Sequence, residues 1–505
     1  ALLMLVSLSG CGTDTKTTND LGGSNFTANH FDATTTPSSI EGYVVKKDLS
    51  GNPNCLDCHK PDQSDVTIHR QWAESAHGGH ILAVGVVPKA SPWAYYNWDN
   101  STDSPRTSPD PDRKSCQQCH TATGNANFMK AQTAGTAYNP VNNDFSHLEG
   151  WTATNKTSGQ NELLYCWGCH SDVEAGTLHA PNTIGIKPGY NVNDAALQLP
   201  NLGSSNTCVG CHSGLGNIQS LMTSAPTGGI DPTVVLTAST IPKSTANATS
   251  THYKNAAATI FHTETKVGYE FPDLSYIDPN NYLHKFSNCI ACHMSGEKSH
   301  SFSAADKDSV TGAITAINAQ QACNGCHSSL IPMNAKKLEE SREGYEESLH
   351  ILENELALDG YVFVNTFPYF YVGTTSGIDL FYRSPSSVVP TVYSAIAFDR
   401  NGDNVIDGLD WIDANVDNVI DAADLVKQPV TWAKQGDLGA GHNFNYLHHE
   451  PGAYAHNRFY AQRLIFDSID WLDNAPMDGQ ITIGIDYPAA RIWLNADPSG
   501  IATRP

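Results

Sequence analysis

The sequence is poor in positive charge. Across 505 residues, 29 Lys and Arg stand against 52 Asp and Glu, for a formal charge of −23. That sign argues against nucleic acid or an anionic membrane surface as the main partner. Long apolar runs are also missing: no stretch of 18 or more apolar residues occurs, so no bilayer-spanning helix is expected. Only 40 % of the residues are hydrophobic, which is thin for a chain long enough for two to four domains. Something other than side chains is expected to fill part of the interior. What the chain has in quantity is glycine (40), proline (27) and cysteine (13).

Twelve of the cysteines fall in six Cys-x-x-Cys-His units: Cys55/Cys58/His59, Cys116/Cys119/His120, Cys166/Cys169/His170, Cys208/Cys211/His212, Cys289/Cys292/His293 and Cys323/Cys326/His327. This spacing reads as attachment of c-type haem. On one helical turn, cysteines three apart share a face and can form thioethers with the two haem vinyls. The next residue, His, then lies beneath the ring as proximal iron ligand. Zinc ribbons do not need a His after every pair, and a thioredoxin-like motif occurs singly. Six identical short spacings would make an odd disulfide framework. The expected cofactors are therefore six covalent c-type haems.

Cys11 stands apart. It ends Leu8-Ser9-Gly10-Cys11 after the apolar run Ala1–Leu8, the form of a bacterial lipoprotein signal that lacks its basic n-region. Residues 1–10 are read as a truncated signal peptide, with lipidation of Cys11 anchoring the protein without spanning the membrane. Gly12, rather than Asp, follows the cysteine, which by the bacterial sorting rule favours the outer membrane. Covalent haem attachment also requires export, so the two signals agree.

Residues 11–54 are rich in Thr, Asn, Ser and Gly and read as a flexible tether. A hexahaem domain follows over 55–330, with irregular intervals of 61, 50, 42, 81 and 34 residues between motifs. The expected fold is a multihaem cytochrome c of low regular structure, mostly loops with short α-helices around a chain of haems. Residues 331–505 carry no motif and should hold the few longer helices. Asn334 can cap one helix through about Leu358, and a second is expected from about His456 to Leu472. The aromatic run Tyr361–Tyr371, interrupted by Pro368, reads as an edge strand or extended segment.

Six haems need up to six more axial ligands. Fifteen histidines lie outside the motifs against six methionines in all, so bis-His iron of low potential is expected. His77 lies behind Trp72 and small residues, His300 closely follows a motif, and His456 opens the expected second helix. From about Trp72 to Trp471 the chain resembles outer-membrane lipoprotein multihaem cytochromes of metal-reducing bacteria. The resemblance rests on Trp72–His77, Leu199–His212, His252-Tyr253 followed by Ala256–Thr259 and Gly268–Phe271, and His284 before Cys289. It continues through Phe367–Phe370 and Glu450–Asn457. It implies His77, His252, His284, His300 and His456 as distal ligands. The motif at Cys55 departs from the five-haem pattern and demands another; His147 is the choice, with His69, His80 and His179 as rivals.

A different pattern occupies residues 399–424. Asp399, Asn401, Asp403, Asp407 and Asp410 fill positions 1, 3, 5, 9 and 12 of a calcium-type loop, with the Val405 carbonyl available at position 7. Asp413, Asn415, Asp417, Val419, Asp421 and Asp424 repeat the scheme. Eight Asp against one Arg in 26 residues would repel one another without a cation. One or two structural Ca²⁺ ions are expected.

These features point to an electron-transfer protein on the outer surface, passing electrons from a redox partner at the membrane to extracellular acceptors such as metal oxides, an electrode or a partner cell. No catalytic residue is assigned, because the product is a transferred electron. A homopolymeric cytochrome filament is the alternative reading. A multihaem reductase of small oxyanions ranks lower, since no motif marks an open coordination site.

Overall fold

The computed structural model describes residues 68–79, 116–146, 152, 154, 162–172, 175–186, 197–216, 218, 230–236, 251–278, 284, 288–327, 332–365, 369–383, 392–394, 425–427, 430–473 and 477–505. Cys55, Cys58 and His59 of the first motif lie outside them, as do Cys11, His80, His147 and both calcium-type loops. The chain divides into two units. The first takes the described residues within Ala1–Ile186, Gln198–Cys211 and Phe286–Lys336, the second those within Lys187–Leu197, His212–Lys285 and Lys337–Pro505.

In the first unit regular structure is sparse, as the sequence leads one to expect. The elements include short helices at the motifs, Ile68–Glu74, Ala122–Ala134 and small antiparallel ribbons such as His170–Asp172 with Thr177–Leu178 and Ala305–Lys307 with Ile314–Ile317. The helix Ala122–Ala134 has clear punctuation. Thr121 is extended and its hydroxyl accepts from the Gly124 N–H, while Gly135 closes the helix in the left-handed conformation. Its buried Ala126, Phe128 and Met129 give the motifs around it an apolar floor.

The second unit departs from the expectation that haems must replace a side-chain core. Trp432, Leu438, Phe444, Tyr446, Tyr460, Leu464, Trp471 and Trp493 belong to one continuous apolar cluster, joined by Ile218, Val267, Tyr269 and Phe271. The cluster thus draws on residues between the motifs as well as on the C-terminal stretch. The helix Ala335–Leu358 lies where the Asn334 cap placed it, its buried Tyr345, Leu349, Leu352 and Leu356 on one face.

Two expectations are corrected in detail. The single helix from His456 is two elements, Ala453–His456 and Arg458–Asp473. Asn457 breaks them apart with extended φ −156°, and its side-chain oxygen accepts from the Tyr460 N–H at 3.1 Å, starting the second helix afresh. The aromatic run is a hairpin: Tyr361–Phe363 pairs antiparallel with Phe370–Thr374, Val362 opposite Tyr371.

The helix Gln435–His449 was not expected, because it is buried on every side and shows no apolar stripe. Gly436, Gly439 and Gly441 let the rings of Trp471, Tyr269 and Trp432 lie against its backbone; a Cβ at any of them would come within 2.4 Å of a ring carbon. Two of its buried polar side chains, Asp437 and Asn443, are paired on both sides. Asp437 accepts from Trp471 Nε1 at 2.9 Å and Tyr361 Oη at 3.0 Å, and Asn443 pairs with both backbone groups of Tyr269. Among the described residues no helix is long and apolar enough to cross a membrane.

Candidate functional site

Each described motif lies on or beside a single helical turn. Cys116 caps Gln117–His120, Cys166–Cys169 and Cys289–His293 are helices themselves, and Cys208 and Cys323 sit in Asn206–Val209 and Gln320–Asn324. No disulfide forms among the ten described cysteines. Paired thiols on one turn with a following imidazole are what thioether attachment needs, so the residues present fit covalent haem.

In the fourth and sixth motifs only the first cysteine lies within the helix: Cys211 and His212 fall beyond Val209, and Cys326 and His327 beyond Asn324 in the sixth. The turn continues through backbone bonds alone, the Cys326 and His327 N–H groups donating to the Cys323 carbonyl at 3.2 and 2.8 Å. Those bonds hold both residues on the same turn as Cys323. Cys326 is exposed, unlike the other described cysteines, and His327 is half-buried. The first motif differs in another way: with Cys58 and His59 outside the described residues, the structure assigns its thiols and imidazole no geometry.

The thiols are crowded across motifs. Cys208 contacts the Cys289 thiol, and this contact together with burial pushes its pKa well above the ordinary value. Cys211 is raised in the same way by Cys119 and burial. Burial pushes Cys169 up to about 12. As free thiols these groups stay protonated, and their lack of charge suits an apolar macrocycle edge.

The histidines sort by which ring nitrogen is occupied. A carbonyl or carboxylate oxygen only accepts, so the nitrogen facing it carries the proton and the other nitrogen keeps its lone pair. In the second unit, His212 donates from Nδ1 to the Lys254 carbonyl at 2.7 Å, His252 to Tyr253 O at 3.2 Å and His284 to Ala455 O at 2.7 Å. His456 Nδ1 donates to Glu450 Oε1 at 2.6 Å. In the first unit, His293 donates from Nδ1 to Phe302 O at 2.9 Å, and His300 Nδ1 pairs with the Ser299 hydroxyl at 3.0 Å. In the five histidines bonded to carbonyls or to Glu450, Nε2 keeps its lone pair, with the imidazole oriented from behind as in metal-bound histidine. His179 is different: its Nε2 faces the Trp167 carbonyl at 3.1 Å. The same holds for His442, whose Nε2 lies 2.8 Å from Val267 O.

One pair has a spacing of its own. The rings of His170 and His300 lie 6.2 Å apart and 15° from parallel. Two imidazoles bound by Nε2 to one metal have ring centres about 6 Å apart, given metal–nitrogen bonds of about 2 Å. The centre-to-centre distance of His170 and His300 matches that spacing.

Two residues that sequence reasoning missed hold motif histidines through their backbones. Lys254 and Phe302 both have φ +57°, a conformation rare for side chains of their size. Each carbonyl takes the Nδ1 proton of a motif histidine. The Phe302 ring also meets His77 edge-on at 4.5 Å and His300 at 6.1 Å. Nothing in the sequence marks a backbone carbonyl, so no signal could have found them. Glu450 does lie in a stretch the resemblance used. It is 1 % exposed, and at Gly452 any Cβ would come within 2.7 Å of His456 Cε1, so the turn needs glycine to bring carboxylate and imidazole together.

Comparison with known proteins agrees with the motifs. Residues 84–179 match the family model of C-type polyheme cytochrome domain 2. The chain is 34 % identical over 513 residues to C-type polyheme cytochrome OmcB of Geobacter sulfurreducens (strain ATCC 51573 / DSM 12127 / PCA), covering 92 % of this chain and 60 % of the relative. It is 33 % identical over 524 residues to C-type polyheme cytochrome OmcC of the same strain, with the same coverage. The chain thus spans about three fifths of the length of the curated relatives it matches. No solved structure matches.

Proposed function

We propose that the chain is a polyheme c-type cytochrome that carries six covalent haems, one on each motif, and conducts electrons along them toward extracellular acceptors; the domain match over residues 84–179 and the similarity to OmcB and OmcC support this. Bound haem supplies a one-electron Fe(II)/Fe(III) couple. The protein's part is to hold that couple in place and to set its potential. Each motif offers two thiols to the vinyl groups and one imidazole to the iron. The carbonyls of Lys254 and Phe302 keep His212 and His293 in the tautomer that presents Nε2. His170 and His300 are the axial pair of the third haem, and the spacing of their rings is the observation that carries this reading. His77, His252, His284 and His456 are distal ligands of other haems. Cys326 and His327 complete the sixth site at the surface. Cys55, Cys58 and His59 hold the first haem, with His147 as its distal ligand; all four lie outside the described residues.

The same proposal places the protein on the outer membrane, anchored by lipid on Cys11 and facing outward, with redox proteins as electron donors. What supports this is the sequence Leu8-Ser9-Gly10-Cys11 and the export that haem attachment demands. One or two Ca²⁺ ions in residues 399–424 are structural. Intact mass of the exported protein tests the whole reading, because it counts haems and acyl chains together. Six haems are expected; fewer overturn the assignment of at least one motif.

A further inference from the structure

The motifs touch one another out of sequence order, and the contacts converge on one of them. From the second motif, Gln118 Nε2 reaches the Gly210 carbonyl of the fourth at 3.4 Å, with Cys119 Sγ 4.0 Å from the same oxygen. The thiols of Cys119 and Cys211 are in hydrogen-bonding contact, and Cys211 Sγ also lies 3.8 Å from Asn125, just beyond the second motif. From the third motif, the Cys169 carbonyl lies 3.5 Å from the Thr207 hydroxyl. The fifth motif is held by Ser205, whose hydroxyl meets Asn288 and accepts from the Ile290 N–H at 3.3 Å. There Cys208 and Cys289 place their thiols against each other. The sixth motif meets the fifth, where the helix Gln320–Asn324 packs on Cys289–His293.

We propose that the Cys208–Cys211 turn is the branch point of the array, with the attachment turns of the second, third and fifth haems meeting that of the fourth, and the sixth continuing from the fifth. The inference rests on the reading that each of these motifs carries a haem. A thioether sulfur is bonded directly to the macrocycle edge, so two sulfurs in contact bring two conjugated rings within a few bonds of each other. Electron exchange falls off exponentially with the gap between rings, so these edges set the route. Each hop oxidises one ferrous iron and reduces one ferric iron by a single electron, with no bond made or broken. Electrons entering from a reductant at the second or third motif then share one exit through Cys208 and Cys289. Two entries feeding one exit suit a protein that collects from more than one donor.

Electron cryo-microscopy of the full-length holoprotein as purified tests this without a substitution. The fourth haem is expected to have three nearest neighbours: the second, third and fifth. A fourth haem in edge contact with only the third and fifth overturns the branch and restores sequence order. The double variant Cys208→Ala/Cys211→Ala gives a second reading. With a reducing photosensitiser attached beside the second motif, freeze-quench EPR should show reduction of the fifth haem slowed at least tenfold. An unchanged rate in protein whose mass has fallen by one haem overturns the proposal. A wild-type mass short of a haem at one of these motifs instead overturns the underlying haem assignment.

Discussion

The rings of His170 and His300 lie 6.2 Å apart, centre to centre, and 15° from parallel, although 130 residues separate them in the chain. If they share one iron, His300→Ala leaves that iron with His170 alone. The haem stays attached through Cys166 and Cys169, so the mass per protein should drop only by the side chain. EPR of the oxidised protein should show one haem converted from low spin to high spin. Unchanged low-spin content would remove His300 from the ligand set.

Glu450 presses a buried carboxylate against His456 Nδ1 at 2.6 Å. A negative charge behind the imidazole favours ferric iron. Glu450→Gln keeps an oxygen acceptor but loses the charge, so one potential in a spectroelectrochemical titration should rise. A tenfold change in relative affinity moves a one-electron couple by about 60 mV, which is the scale expected. If His456→Ala produces high-spin haem while Glu450→Gln moves no potential, His456 is a ligand but Glu450 does not tune it.

Gly452 gives a steric counterpart to that test. A Cβ there would come within 2.7 Å of His456 Cε1, so Gly452→Val should swing the imidazole off its axis. The expected result is partial high-spin character at the haem that His456→Ala affects. A wild-type spectrum from Gly452→Val would show that the turn tolerates the methyl groups and that the close approach is incidental.

His449 supplies a pH dependence. Burial lowers its pKa to about 4 from an ordinary 6.5, so the folded protein keeps it neutral where the unfolded chain takes up a proton. Stability should fall as pH drops from about 6.5 toward 4, by up to about 3 kcal/mol from this group. Melting temperatures of the holoprotein measured between pH 4 and 7 should flatten in His449→Gln. An equal slope in the variant would assign the acid sensitivity elsewhere.

Calcium should act on stability alone. Treatment with a chelator is expected to lower the melting temperature by several degrees and to leave the haem potentials where they were. Shifted potentials would tie residues 399–424 to a haem instead.

Sequence by itself determined the chemistry of attachment. Two thiols and an imidazole on one turn are a local pattern, so their spacing is enough, and the five described motifs sit on or beside such turns. It also placed the helix Ala335–Leu358 from a cap and an apolar stripe, both local signals. Exposure is not local: the same spacing leaves Cys169 half-buried and Cys326 at the surface, because only neighbours brought in by the fold can cover a turn. The helix Gln435–His449 escaped because its glycines and paired polar groups acquire meaning only against Trp471, Tyr269 and Tyr361. The environment of each histidine was likewise decided in three dimensions. His179 and His300 look alike along the chain, yet one spends Nε2 on the Trp167 carbonyl while the other pairs through Nδ1 and has its ring near that of His170. Which nitrogen of an imidazole carries the proton is fixed by whatever oxygen folds up behind it, and that oxygen comes from a part of the chain that no motif marks.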